Sequence, residues 1–310
     1  MKLTGAELAQ FATDGFIVIP NVVDEALLDA ADTEIDELIK REPPPPGTIG
    51  KHFWFLPPDG LPAAHAALRG SPSLGLAEQL TAPSLLELNL GHKQIALNIP
   101  PYSHQPGGPH IDSRVQQHPE QTAPDSFMLL AGVFLTDEHL VDSGNLWAWR
   151  GSHRTHERLF PDRGPDVLMA TFGHISLLDD PPPLPAPVPV LGQRGDVLLA
   201  HFLLGHNTKG NLGPSTRRML YYRLSCPDHG QRWADTFTEY PRLRTPGQGF
   251  QAPPITRTTA GSGRTSPSAW LSQNCRIASR ARSSTTGRGS GHSERGSVGA
   301  VVRCRQWPLG

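Results

Sequence analysis

The stretch Pro106-Gly107-Gly108-Pro109-His110-Ile111-Asp112 sets an imidazole and a carboxylate two residues apart. In extended backbone such a pair points to one side, because side chains alternate along a strand. Joined by a second histidine from elsewhere in the chain, the two could grip one face of a metal ion. Two histidines and one carboxylate, with the remaining positions open, form the ligand set of non-haem ferrous oxygenases. His-X-Asp alone is a weak motif. It fits equally a turn after Gly-Gly-Pro with two polar side chains in water.

A second histidine stands at the end of Gly195-Asp196-Val197-Leu198-Leu199-Ala200-His201-Phe202-Leu203-Leu204-Gly205-His206, read as a turn and a strand with His206 at the far end. Arg217 follows eleven positions later and opens the next strand candidate. Its guanidinium can hold a carboxylate through two parallel hydrogen bonds, which a lysine cannot reproduce. Arg218 is adjacent, and alternation lets only one of the two face inward; Arg217 is assigned that role. His201 is read on the same strand as His206, at an odd separation and so on the opposite face. His104 reads as a loop histidine, His153 as a turn cap, and Trp147 and Trp149 as core. His174 and His229 carry no signal. Arg114 and Gln116 fit the mouth of a site or plain solvent exposure equally well.

These side chains need a rigid frame, and the pattern around them is mostly of strands. Thr4-Gly5-Ala6-Glu7 is a capping box that starts a short helix. Gly15 to Pro20 is an apolar, β-branched strand. From Asp24, Leu27, Leu28, Ala31, Ile35, Leu38 and Ile39 recur at helical spacing, until Pro43 to Pro46 stop the helix. Residues 47–75 read as loop, with the aromatic cluster His52-Phe53-Trp54-Phe55 inside it. Further strands are expected at Leu85–Leu90, Gln94–Ile99, Phe127–Leu135, Asn145–Trp149, Val197–His201 and Met219–Leu224. The proline-rich run from Asp180 to Pro189 reads as an extended spacer between strands. Many short strands after a few helices predict a mainly β fold: a double-stranded β-helix, jelly-roll or cupin-like, with N-terminal flanking helices.

Composition narrows the function classes. With 31 glycines and 32 prolines in 310 residues, the chain is loop-rich rather than a helical bundle. A formal net charge of -1 gives no global attraction to nucleic acid or an anionic membrane. Three scattered cysteines, Cys226, Cys275 and Cys304, form neither a CxxC pair nor a disulfide framework and fit a reducing cytoplasm. No apolar run is long enough to span a bilayer. Beyond Gln251 arginine, serine, threonine and glycine dominate, lysine vanishes, and Glu294 is the only acid. The expected division is a jelly-roll domain over 1–250 and a disordered tail over 251–310. Nucleic-acid binding by that tail would be salt-sensitive and lost on truncation.

Four pieces in order give the chain a family likeness: Asp14-Gly15-Phe16-Ile17-Val18-Ile19-Pro20; His110-Ile111-Asp112; Asp142-Ser143-Gly144-Asn145-Leu146 with Gly151-Ser152-His153; and Gly195-Asp196 leading to His206, Asn211 and Arg217. Over residues 5–228 the chain resembles the phytanoyl-CoA dioxygenase family of Fe(II)/2-oxoglutarate oxygenases. The resemblance implies a jelly-roll core, iron held by His110, Asp112 and His206, and 2-oxoglutarate anchored by Arg217 with Asn98 and Thr208 as further partners. It implies O₂ and 2-oxoglutarate as co-substrates, succinate and CO₂ as products, and hydroxylation of an unactivated C–H bond in a small molecule. Related halogenases lack the carboxylate, so Asp112 favours hydroxylation or another oxidative outcome such as desaturation. Where the family often has proline before Gly-Ser-His, this chain has Arg150. The competing reading is a cupin-like module that binds Zn²⁺ or Ni²⁺ without redox chemistry; Arg217 argues against it, because such a module needs no buried carboxylate fork.

Overall fold

Strand alternation divides the structure into two cores on either side of one sheet. The computed structural model describes residues 1–56, 60–82, 84–112, 127–159, 182–227 and 229, with backbone only for 89–92. All of these lie within the unit Met1–Gln248. The expectations for Arg114, Gln116, His174 and the tail fall outside the described residues.

The elements are α1 (Gly5–Asp14), β1 (Phe16–Ile19), α2 (Glu25–Arg41), β2 (Gly50–Leu56), α3 (Pro62–Arg69), α4 (Ser73–Thr81), β3 (Glu87–Ile99), β4 (Leu129–Phe134), β5 (Leu146–Ala148), α5 (Ser152–Glu157), β6 (Val188–Pro189), β7 (Val197–His201), β8 (His206–Thr208) and β9 (Arg217–Ser225). Six strands form one antiparallel sheet in the order β1-β7-β4-β9-β3-β2, and three form another in the order β6-β5-β8. The outer face of the large sheet (Ile95, Leu97, Val133, Leu199, Leu220, Tyr222) packs on Leu28, Ile35, Leu38, Ala64, Leu68 and Leu76 from α2, α3 and α4. Its inner face (Ala96, Leu130, Phe134, Leu198, Met219, Tyr221) meets Leu146 and Ala148 of the small sheet. This is the cupin-like double-stranded β-helix with N-terminal helices.

The capping box at Thr4 and Glu7 forms, and Gly15 closes α1 in the left-handed conformation. A Cβ at Gly15 would come within 2.4 Å of the His153 ring, so that position needs glycine for space as well as backbone. Residues 47–75 depart from the loop expectation. His52–Phe55 lie inside β2, paired with β3, and α3 follows with proline in its first turn. The alternation was present: Gly50, His52 and Trp54 are buried on one face while Lys51, Phe53 and Phe55 take the other. An unbroken aromatic run hid it. A second correction concerns His201 and His206. They lie on different strands in different sheets, because the chain turns at residues 202–203 between β7 and β8. The proline-rich segment ends as β6, on the edge of the small sheet, where proline costs no ladder bond.

Candidate active site

His110 and His206 are cross-strand partners. Each backbone N–H donates to the other's carbonyl at 3.0 Å, and the ring centroids are 4.4 Å apart. Such a doubly bonded antiparallel pair fixes both side chains on one face. Asp112, two residues beyond His110, joins that face. Its Oδ1 lies 3.5 Å from His110 Nε2 and 3.4 Å from His206 Nε2. The three donor atoms all lie within 4.8 Å of one another. Ligand atoms about 2.1 Å from one ion and at right angles sit about 3 Å apart, so this spacing fits a metal with little movement.

The local sequence explains the placement of His206. Its Nδ1 is 2.9 Å from the Leu204 carbonyl, an acceptor only, so Nδ1 carries a proton and the neutral ring would offer Nε2 to a metal. The preceding turn is clamped by the Gly-Ser-His segment. Ser152 Oγ accepts from Gly205 N at 2.7 Å, Trp149 N donates to Gly205 O at 2.9 Å, and His156 Nδ1 binds the Leu203 carbonyl at 2.7 Å. Arg150, where the family often has proline, pairs with Asp14 and leaves this clamp intact.

Electrostatics suit a cation. Burial pushes His110 down to about 4, with His206 adding to the effect, so its imidazole is neutral near pH 7. Burial opposes charge on Asp112, but Arg223, His206 and His110 together hold it well below the usual carboxylate range. Burial also opposes charge on His206, and Asp112 overrides it, raising that pKa. An anionic carboxylate between two imidazoles is the donor set a ferrous ion takes.

Behind the trio the inner face continues along β9. Arg217 is 4% exposed, and Asn98 stands opposite it in register. Arg217 Nε donates to Glu138 Oε2 and Nη2 to the Tyr221 hydroxyl, both at 2.7 Å. Arg218 points the other way and pairs with Asp32 and Asp36 of α2. Asn98 Nδ2 donates to the Lys209 carbonyl at 2.8 Å, and its Oδ1 is buried with no partner among the described residues. Thr208 shares a face with His206 on β8 and is half-buried.

Of the remaining candidates, His201 packs against His153 and Phe11. His153, expected to cap a turn, is buried against Gly15 instead. His104 stacks on Tyr102. None of them belongs to the donor cluster. Trp149 is core, while Trp147 is half-buried beneath Lys209.

Four residues at the site were missed in the sequence. Tyr221 and Arg223 share the parity of Arg217, so alternation would have found them. Lys51 faces the same side as its partner Asn98, was hidden by the loop assignment, and has its pKa lowered by burial. Glu138 had no signal. It is fully buried, its backbone is held by the Asn145 side chain and by Gly192, and burial pushes its carboxyl up to about 7 despite Arg217.

Solved structures of the same fold include HygX from Streptomyces hygroscopicus with nickel and 2-oxoglutarate bound (20% identity, TM-score 0.50, covering 73% of this chain and 88% of that one). Two others come from nogalamycin biosynthesis. One is the non-haem α-ketoglutarate-dependent carbocyclase SnoK (18% identity, TM-score 0.50, 74% and 90% covered). The other is the epimerase SnoN in complex with Fe³⁺, α-ketoglutarate and nogalamycin RO (20% identity, TM-score 0.50, 83% and 95% covered). A search of curated proteins returns no match to the sequence. The family model for phytanoyl-CoA dioxygenase matches residues 11–219, a span that holds β1, the His-X-Asp pair, the Gly-Ser-His clamp, His206 and Arg217. The chain belongs to the phytanoyl-CoA dioxygenase family.

Proposed function

We propose that this protein is an iron- and 2-oxoglutarate-dependent oxygenase of the cytoplasm that hydroxylates an unactivated C–H bond of a small molecule. The observation that carries this reading is the convergence of His110, Asp112 and His206 on one point, with Arg217 buried behind them on the same inner face. Among the described residues no helix is long and apolar enough to cross a membrane.

His110 Nε2, Asp112 Oδ1 and His206 Nε2 would hold ferrous iron on one side and leave the other side open. Arg217 and its hydroxyl partner Tyr221 would receive the far carboxylate of 2-oxoglutarate, with Asn98, opposite Arg217 in register, and Thr208 as further candidate contacts. Iron with 2-oxoglutarate and O₂ supplies an oxidant strong enough to take hydrogen from such a bond, releasing succinate and CO₂. The protein would orient the co-substrate on a mostly apolar inner face. Structural relatives named as a carbocyclase and an epimerase mark other outcomes that this frame can host.

The test is succinate formed from 2-oxoglutarate by the full chain with Fe(II) and O₂. Turnover dependent on all three supports the reading. A chain that binds metal yet never consumes the keto acid is instead the non-redox cupin-like module.

A further inference from the structure

Arg223 is the last inward-facing cation of β9, and its nitrogens are unequally used. Nη2 lies 2.5 Å from Asp112 Oδ2 and 3.0 Å from Gln94 Oε1. Nη1 is buried and has no partner among the described residues. The guanidinium carbon is 5.9 Å from the Phe55 ring centroid and 5.7 Å from that of Phe127, so the group is flanked by aromatic rings. A buried N–H group without an acceptor is costly and rare, and it marks where an acceptor is meant to arrive.

Two further facts identify that acceptor. Asp112 turns Oδ1 to the imidazoles and Oδ2 to Arg223, so the guanidinium sits on the far side of the carboxylate that would ligate the metal. An ion bound to Oδ1 draws charge from this carboxylate and leaves the guanidinium under-compensated. Phe55, next to Arg223, and Phe53, whose ring neighbours that of Phe55, lie on the inward-facing side of β2 and are 46% and 36% exposed. A cation with a spare donor bordered by partly exposed phenyl rings suits a carboxylate attached to an apolar body.

We infer that Arg223 anchors the primary substrate, and that this substrate is a small carboxylic acid whose apolar body lies along Phe53 and Phe55. The inference rests on the oxygenase reading, since it places the substrate beside the proposed iron ligands. Arg217 serves the co-substrate and Arg223 the substrate, one on each side of Tyr221.

The experiment uses the full chain loaded with Ni(II), which supports no turnover, and saturated with 2-oxoglutarate. Calorimetry compares 3-phenylpropionate with its neutral amide. The expected result is a preference for the acid of about tenfold or more, lost in Arg223→Gln at matched nickel content. Equal binding of acid and amide, binding of neither, displacement of 2-oxoglutarate by the acid, or a preference that survives in Arg223→Gln each overturns the inference. If Arg223→Gln fails to fold or to load nickel, Arg223→Lys decides. A lysine keeps the charge but not the planar two-nitrogen fork that lets Arg223 hold Asp112 and the probe on separate nitrogens, so the preference should fall several-fold, and an unchanged preference overturns the inference. A wild-type chain that takes nickel but no 2-oxoglutarate fails the oxygenase reading instead. The acid-to-amide ratio measured on that chain without 2-oxoglutarate then decides the role of Arg223 separately.

Discussion

Arg217 Nε and Glu138 Oε2 lie 2.7 Å apart, and both side chains are fully enclosed, so the proposed co-substrate anchor already has an acid at its side. The second oxygen of Glu138 is buried and has no partner among the described residues. A dicarboxylate arriving at Arg217 meets either a neutral acid that can donate a hydrogen bond or an anion that repels it. The raised Glu138 pKa of about 7 puts the change near neutrality. Affinity for 2-oxoglutarate should therefore fall as pH rises through 7, by at most about tenfold per unit for one proton. Glu138→Gln should flatten that dependence and bind more tightly at alkaline pH. Calorimetry on metal-loaded protein across pH 6 to 9 checks both.

The same group has a stability consequence. Its folded pKa lies above the unfolded value of 4.5, so the folded state binds the proton more tightly. The stabilisation is present in full below 4.5 and is lost as pH rises to about 7. Melting temperatures of Glu138→Gln should lack this loss over that window.

Arg217 and Arg218 are neighbours with opposite faces, and substitution should separate them. Arg218→Ala removes partly exposed pairs with Asp32 and Asp36, costs about 0–1 kcal/mol, and leaves 2-oxoglutarate affinity unchanged. Arg217→Ala strands a buried acid, costs about 3–5 kcal/mol, and abolishes co-substrate binding. Denaturant melts and titrations on both variants give the comparison.

Ser152 joins the Gly-Ser-His segment to the turn before His206, the proposed metal ligand. Ser152→Ala leaves the buried Gly205 N–H without its acceptor and should cost about 1–3 kcal/mol. It also loosens the turn before His206, so metal affinity should fall while the fold persists. Circular dichroism and metal titration separate the two effects.

Gly144 makes a similar link for the Asp-Ser-Gly-Asn segment. Its φ is +84°, and a Cβ there would lie 2.9 Å from the Asn98 side chain. Gly144→Ala should cost about 1–2 kcal/mol for the left-handed backbone alone and displace Asn98 from its place opposite Arg217. Thermal melts with and without 2-oxoglutarate should show the ligand-induced stabilisation shrink.

The sequence was most legible where a periodicity and a chemical type coincided. His110 and Asp112 share a face because they are two residues apart, and Arg217 faces inward where Arg218 cannot, both by strand alternation. The β2 strand was not legible, because four consecutive aromatic or imidazole side chains conceal which are buried. Glu138 was invisible for a different reason: its role depends on β4 ending beside the start of β9, a tertiary fact with no local signature. His201 was placed wrongly because nothing in an apolar run marks the change from one sheet to another between it and His206.

The most direct measurement is anaerobic Fe(II) titration of the full chain against His110→Ala, Asp112→Ala and His206→Ala. A shared ferrous site predicts one ion per wild-type chain and loss of that binding in each variant with the fold retained. Unchanged stoichiometry and affinity in any one variant would contradict a site built from these three side chains.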